Sequence, residues 1–345
     1  MKQLLAIFCA VAVLMVGLAD AQSVVVPAAN VNAVGNGQLN SLMRQATRTV
    51  QQGIDASALA NLPVGAEIVG ISYRLYRNAS SAWPATDAVW QNYDITLAET
   101  ALPTSQWTAI FATNMKNPVV VRKGPMTVKT GTFAFVTAPH PFDTFYLAFQ
   151  NHYVYQGGDL VIFITHDGNN TNTTCFFDGL TASASPPPPG RAMYASTYQA
   201  TSATVTSTTF LITRIHYGYG PAGCTGKNGS LNLILSNNLV SPTPAPGSIN
   251  LAVTNGEASA AGKIIISPVK GAAPIPLPGG CNLLIFPSFL ALLPFALDAN
   301  GRYDLNLTFP AIPALIGVEL QAYASDSSTT AGYVVTNGVS FQAGP

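Results

Sequence analysis

The stretch FYLAFQNHYVYQGGDLVIFITHDG, Phe145–Gly168, decides how this chain is read. Its centre, Gly157-Gly158, suits a tight turn, whose central residues need positive φ. The two halves read as strands of one hairpin, in a register that sets His166 opposite Phe149 and His152 opposite Phe163. The return strand Leu160–Thr165 is LVIFIT, apolar at successive positions. A strand with one face in water would alternate. Leu160, Ile162 and Ile164 point one way, Val161, Phe163 and Thr165 the other, and both sets call for burial. The strand is therefore expected at the centre of a sheet, with a core beneath it. The cover above is a loop of the same domain, a second domain or another molecule, and cover from within the chain is the expected form.

Working outward, Ser23–Val34 reads as an extended arm, confined to an edge by Pro27. Strands are expected over Ala46–Ile54, Ile68–Tyr76, Tyr93–Leu97, Trp107–Thr113, Val119–Arg122, Met126–Phe135 and Phe210–Tyr217, with loops at Asn169–Thr174 and Pro186–Pro189. The Gly-rich Gly218–Asn228 has no apolar period and marks a boundary. Beyond it, Leu231–Leu235, Ile249–Val253, Lys263–Ser267, Asn282–Phe286, Tyr303–Phe309, Val318–Tyr323 and Tyr333–Phe341 have the spacing of a small antiparallel sandwich. The expected organisation is all-β: a signal peptide over 1–21, a jelly-roll-like β-sandwich domain over 22–217, a linker over 218–228 and an Ig-like β-sandwich domain over 229–345.

The signal peptide is read from Lys2, the apolar Leu4–Leu18 and the small-x-small site Ala19-Asp20-Ala21. No later apolar run reaches the roughly 18 residues of a spanning helix. The expected location is extracellular or at the cell surface. Charged residues make up 9% of the chain, against about 25% in ordinary soluble domains, and the net charge is zero. Without a Lys/Arg cluster, nucleic acid is excluded as a partner class. So neutral a surface resists self-association weakly. Beyond the signal segment stand Cys175, Cys224 and Cys281. Cys224 and Cys281 share one expected domain and are expected to form a disulfide, leaving Cys175 as a buried thiol.

Several short signatures resemble those of uncharacterised secreted two-domain β proteins of environmental bacteria. In the first unit these are Arg48–Gln52 followed by Asp55-Ala-Ser57, Ile68 to Ile71 with Tyr73-Arg74, Asn92-Tyr-Asp-Ile95 with Leu97, and Gly157-Gly-Asp-Leu160. In the second they are Gly280-Cys281, Asp298-Ala-Asn-Gly301, Pro313 to Gly317, Gln321-Ala322 and Thr336–Gly338. The resemblance implies fold and export and carries no activity over to any residue.

Chemistry-bearing residues are sparse. In the hairpin register His152 and His166 fall on opposite faces, roughly 10 Å apart along the ladder, too far to share a zinc ion. Asp143, Asp159, Asp167 and Asp178 read as turn residues and show no pairing of the kind glycoside hydrolysis needs. The loop Asp167–Asn172 offers one carboxylate, too few for a typical calcium site. Gly-x-Ser-x-Gly, His-Glu-x-x-His and phosphate-loop patterns are absent. Trp83, Trp90 and Trp107 are the candidates for stacking on sugar rings, with core packing the plainer expectation. The expected function is that of a non-enzymatic surface or extracellular-matrix protein, structural or adhesive, with no catalytic residue, metal or cofactor. Its expected partners are further copies of itself or extracellular polysaccharide. A pair of carbohydrate-binding modules is the alternative, and a secreted hydrolase comes third.

Overall fold

The computed structural model describes residues 23–142, 145, 147–218, 224, 226–235, 247–267, 270–285, 291–309 and 316–343. The segment expected as a signal peptide, Asp143 and most of the stretch expected as a Gly-rich linker lie outside them. Among the described residues the helical pieces are 3-10 turns of three or four residues, and all else regular is strand. The chain packs as two compact units, one of Val24–Gly65 with Gly70–Ile215, the other of the chain from His216 onward with the short piece Ala66–Val69.

The strands begin with β1 (Ser23–Val26), β2 (Gly37–Leu39), β3 (Arg48–Ile54), β4 (Glu67–Ser72), β5 (Ala88–Trp90), β6 (Tyr93–Thr100) and β7 (Met115–Arg122). They continue with β8 (Met126–Val128), β9 (Leu147–Val154), β10 (Leu160–His166), β11 (Phe177–Leu180), β12 (Gly190–Ala195), β13 (Phe210–Leu211) and β14 (Thr213–Gly218). One sheet runs β12-β3-β10-β6-β7 and another β1-β14-β4-β9. With β12 set aside as an added edge, this is the strand order of an eight-stranded jelly roll. A small sheet β13-β11-β2 and the pair β5-β8 complete this part of the chain.

The stretch that opened the sequence folds differently from the hairpin expected of it. Gly157 and Gly158 do turn with positive φ, 86° and 81°. But β9 and β10 enter different sheets, and both edges of β10 are already occupied. Leu160 to His166 pair with Ile54 to Arg48 on one side and with Glu99 to Tyr93 on the other. The difference was written in the side chains: β9 alternates, burying Leu147, Phe149 and Tyr153, as an edge strand with one wet face does.

Both faces of β10 are indeed covered, and the outer cover comes from the same unit. The segment expected as a strand, Trp107–Thr113, instead lies between and across two 3-10 turns, Thr104–Gln106 and Phe111–Asn114. It lays Trp107 and Phe111 on Val161, Ala98, Met193 and Ala195, with Phe163 packed at the rim. The Phe111 and Phe163 rings meet at 5.4 Å. The indole of Trp107 sits so close over Gly53 that a Cβ there would lie 2.5 Å from it. Buried amides fasten the loop: Asn114 Nδ2 donates to Gln51 Oε1 at 2.8 Å, and Gln51 Nε2 donates to Phe111 O at 3.0 Å.

Phe210–Tyr217 is not one strand either. It breaks at Ile212, sending β13 and β14 to different sheets. Gln52 bridges the break, accepting from Leu211 N at 2.7 Å and donating to Leu211 O at 3.1 Å. The strands β11 and β12 were not expected, being short and flanked by the polar and polyproline loops.

The second unit holds β15 (Asn232–Leu235), β16 (Gly247–Thr254), β17 (Ala261–Ser267), β18 (Lys270–Pro276) and β19 (Asn282–Ile285). After them come β20 (Ala291–Ala296), β21 (Tyr303–Phe309), β22 (Ile316–Ser325), β23 (Tyr333–Val335) and β24 (Val339–Ala343). A sheet β15-β16-β21 faces a sheet β20-β17-β22-β23, with β24 continuing the edge beside β22. Every second residue of both sheets enters one core: Leu231 and Leu233, Leu251 and Val253, Ile264 and Ile266, Val318 to Ala324. That period of two makes it a sandwich. Tyr333–Phe341 is two strands rather than one, split where Asn337 exchanges two hydrogen bonds with Leu233, each 3.0 Å. Cys224 and Cys281 form the expected disulfide across 57 residues, a closure contributing about 4 kcal/mol in the loop-entropy description. Cys175 is buried, and burial alone pushes its thiol up.

Because the outer face of β10 is a second small core, Phe111→Ala is expected to destabilise the protein by about 3 kcal/mol or more through the cavity it leaves. Urea denaturation measures this, and an unchanged midpoint would mean that the loop does not belong to the core.

Candidate functional site

The most heavily buried charges stand on β4's continuation and β11. Asp178, expected in a turn, lies in β11 and forms an ion pair at 2.8 Å with Arg74, both side chains 1% exposed. Two charges in apolar company need hydrogen bonds as well as each other. Gly35 N donates to both carboxylate oxygens at 3.0 and 3.1 Å, and Arg74 Nε donates at 3.0 Å. The guanidinium also donates to Val31 O and Ala33 O. The Phe142 ring lies 4.8 Å from Arg74 and 4.9 Å from Arg214. Burial pushes the Asp178 carboxyl up despite Gly35 and Arg74, and burial likewise pulls Arg74 down. The arrangement pins the N-terminal arm, 31–35, to the body of the unit. It is an anchor, with both side chains almost wholly shut off from solvent.

Beside that arm lies a cleft of about 530 Å³, lined by residues such as Pro27, Asn30, Asn36, Ser57, Leu180 and Pro186. No lining side chain is charged or titratable. Asn36 already exchanges hydrogen bonds with Thr181, and Asn30 holds Ala33 O. Such a wall can accept an uncharged ligand; its hydroxyls, on Ser57, Ser183 and Ser185, have no His or carboxylate beside them in the lining to act as a base.

Most of the described residues singled out from the sequence are engaged by neighbouring groups. His166 is buried on β10, stacked on Tyr93 at 5.5 Å and met edge-on by Trp90. Gly168 N donates to Nδ1 at 3.2 Å, so the proton sits on Nε2 and is given to Ser41 O at 2.9 Å. Burial holds its pKa down at about 4, with Arg48 also lowering it and Ser41 and Asp167 opposing. His152 is on β9, in the other sheet. Asp159 accepts from Ala56 N, and Asp167 accepts two bonds from Asn92, as turn residues do. The oxygens of the following loop are likewise engaged: Asn169 Oδ1 accepts from Thr171, and Asn170 Oδ1 from Val89 N. Among the described residues no three His, Cys, Asp or Glu converge.

The three indoles do not form an exposed row. Trp83, Trp90 and Trp107 are 6%, 0% and 5% exposed. Trp83 and Trp90 pack at 6.4 Å in a cluster with Phe133 and Tyr93, and Trp107 caps β10 on its other side. None presents a face on which a sugar could stack, because in a charge-poor sandwich the largest aromatics are what fill the interior.

No protein-family model matches the chain, and no curated protein matches it. Among solved structures, a β-glucuronidase of Bacteroides uniformis is similar at a TM-score of 0.20 and 9% identity, over 86% of this chain and 26% of that one. A putative β-galactosidase from Bacteroides fragilis follows at 0.19 and 8%, over 88% of this chain and 34% of that one. A GH2 β-galacturonidase from Eisenbergiella tayi stands at 0.18 and 9%, over 87% and 45%. The chain thus spans between about a quarter and under a half of those chains, and likeness at this level carries no argument about activity.

Two predictions follow from the buried groups. Asp178→Leu alone is expected to cost 3–5 kcal/mol, while Arg74→Met with Asp178→Leu recovers most of it, since breaking a buried pair costs more than replacing it. A double-mutant cycle by chemical denaturation checks this; additive losses would refute the pairing. His166 has a folded pKa below its unfolded value of about 6.5, so its share of stability is full above pH 6.5 and is lost as pH falls toward 4, about 3 kcal/mol in all. His166→Gln, which cannot take up that proton, is expected to flatten this limb of the stability–pH curve.

Proposed function

We propose that this protein is a secreted, non-enzymatic component of a surface or extracellular matrix, built of two tandem sandwich domains over 22–217 and 229–345. The observation that carries the reading is what the ionisable side chains do. Asp178 and Arg74 anchor an arm, Asp167 and Asp159 brace turns, and Asp326 and Glu257 tie loops of the second unit through Lys227 N, Ser327 and Ser328. Groups engaged in this way brace turns and loops, which supports a structural role for them. The disulfide suits an oxidising exterior. A zero net charge favours self-association, and exposed apolar residues such as Val119 and Val120 on the edge strand β7 supply surface for it.

A carbohydrate-binding role is the second reading. With the indoles buried, its support is the uncharged cleft beside the N-terminal arm. Analytical ultracentrifugation of the mature protein over a hundredfold concentration range tests the first reading, which expects reversible assembly. A monomer throughout, retained on neutral polysaccharide, would replace it with the second.

A further inference from the structure

The cleft beside the N-terminal arm has two stiff walls. One is the arm itself, through Asn30, Ala33, Val34 and Asn36. Its backbone is fastened to the body of the unit: Gly35 N donates to both Asp178 oxygens, and Arg74 donates to Val31 O and Ala33 O. The other wall is the loop 183–189, where four consecutive prolines fix φ. Ser57 and Ala58, on a 3-10 turn, complete the lining near Leu180. Walls that are already ordered lose little freedom when a ligand enters. The volume of about 530 Å³ falls within the roughly 300–1,000 Å³ of small-ligand sites.

The hydrogen-bonding character of these walls narrows the ligand. Proline has no N–H, so the loop presents carbonyls without the donors that ordinary backbone would add. Among the described residues nothing donates to the carbonyls of Pro186 and Pro187, and nothing engages the hydroxyls of Ser57 and Ser185. Several donors of the lining are spent within the protein. Asn30 N, Ala58 N and Ala184 N close local turns, Asn30 Nδ2 goes to Ala33 O, and Asn36 Nδ2 goes to Thr181 Oγ1. A charged ligand would find no opposite charge here. An extended peptide would bring carbonyls to a loop wall poor in N–H groups, and polar groups left unpaired cost binding energy. A polyol brings a donor at each hydroxyl, and its C–H surface suits the Pro, Ala, Val34 and Leu180 side chains. We infer that the cleft is a binding site for a neutral oligosaccharide, whose hydroxyls donate to the proline-rich wall. This rests on the carbohydrate-binding reading and adds to it the place, the neutrality and the hydrogen-bonding sense of the ligand.

The probes are linear hexasaccharides cut from cellulose, laminarin and dextran, titrated calorimetrically into the mature protein. Their O-methylated forms, which keep the acceptors and lose the donors, and a blocked Gly-Ser peptide of similar length serve as comparisons. At least one hexasaccharide is expected to bind, and its O-methylated form to bind tenfold or more weakly, the effect of one or two lost hydrogen bonds. Ser57→Leu and Ser185→Leu, on opposite walls, fill the cleft and remove a hydroxyl each. Both positions are exposed, so both variants are expected to melt with the parent while their affinity falls tenfold or more. Binding that survives in both variants would leave the carbohydrate reading standing and overturn the assignment to this cleft. Equal affinity for the O-methylated form would overturn the donor argument. Binding of the peptide alone, or of none of the probes, would overturn this inference and the carbohydrate reading together.

Discussion

The structure of the first unit depends on a strand that has no free side. β10 is hydrogen-bonded along both edges and buried on both faces. Once β3 and β6 hold its edges, β9 cannot pair with it, and the chain must cross between sheets at Gly157-Gly158. Once its inner face lines the sandwich core, its outer face needs a second apolar layer, which Trp107 and Phe111 supply. Burial of a large aromatic side chain is worth about 2–3 kcal/mol. That is enough to hold a loop that makes only short 3-10 turns of its own.

Covering a sheet with irregular chain leaves backbone groups that no ladder satisfies, and each one buried unpaired costs about 1–3 kcal/mol. Neutral amides meet this need repeatedly. Gln51 and Asn114 serve the covering loop, Gln52 serves the break between β13 and β14, and Asn337 serves the break between β23 and β24. Gln321 does the same for the second unit, accepting from Leu284 N and donating to Thr336 O. An amide both donates and accepts and has no charge to desolvate. This explains how a chain with so few charged residues maintains so many strand breaks and loops.

Apolar runs and turn residues made much of this visible beforehand. The continuous LVIFIT run signalled a centrally buried strand, and Gly157-Gly158 signalled a turn. The disulfide followed from the neighbourhood of Cys224 and Cys281. What stayed hidden depends on partners distant in sequence. Trp107–Thr113 is as β-prone as many true strands, and only the need to cover Val161 and Phe163 turns it into a cap. Asp178 follows an Asn- and Thr-rich loop, and its partner Arg74 lies 104 positions earlier, so nothing local separates it from a turn residue. The three Trp show the opposite limit: composition names them, but exposure, on which sugar stacking depends, is decided by packing.

Edges bear on how copies of such a protein can meet. A long flat edge invites pairing with a neighbour, and natural sheets blunt their edges with proline, bulges and lysine. β7 has all three. Pro118 cannot donate, Asn117 bends the strand with φ 50°, the register against β6 shifts twice, and Lys116 pairs with Glu99. Asn151 Nδ2 further occupies Val120 O at 3.1 Å. Its exposed valines therefore offer side-chain surface while the backbone beneath them is unsuited to extend a ladder. Association through β7 would be face contact between apolar side chains, which is weak per unit area and sensitive to shape. It would not be strand addition, whose hydrogen bonds lead to continuous β-fibres. For a neutral protein expected outside the cell, that distinction separates reversible matrix contacts from irreversible aggregation.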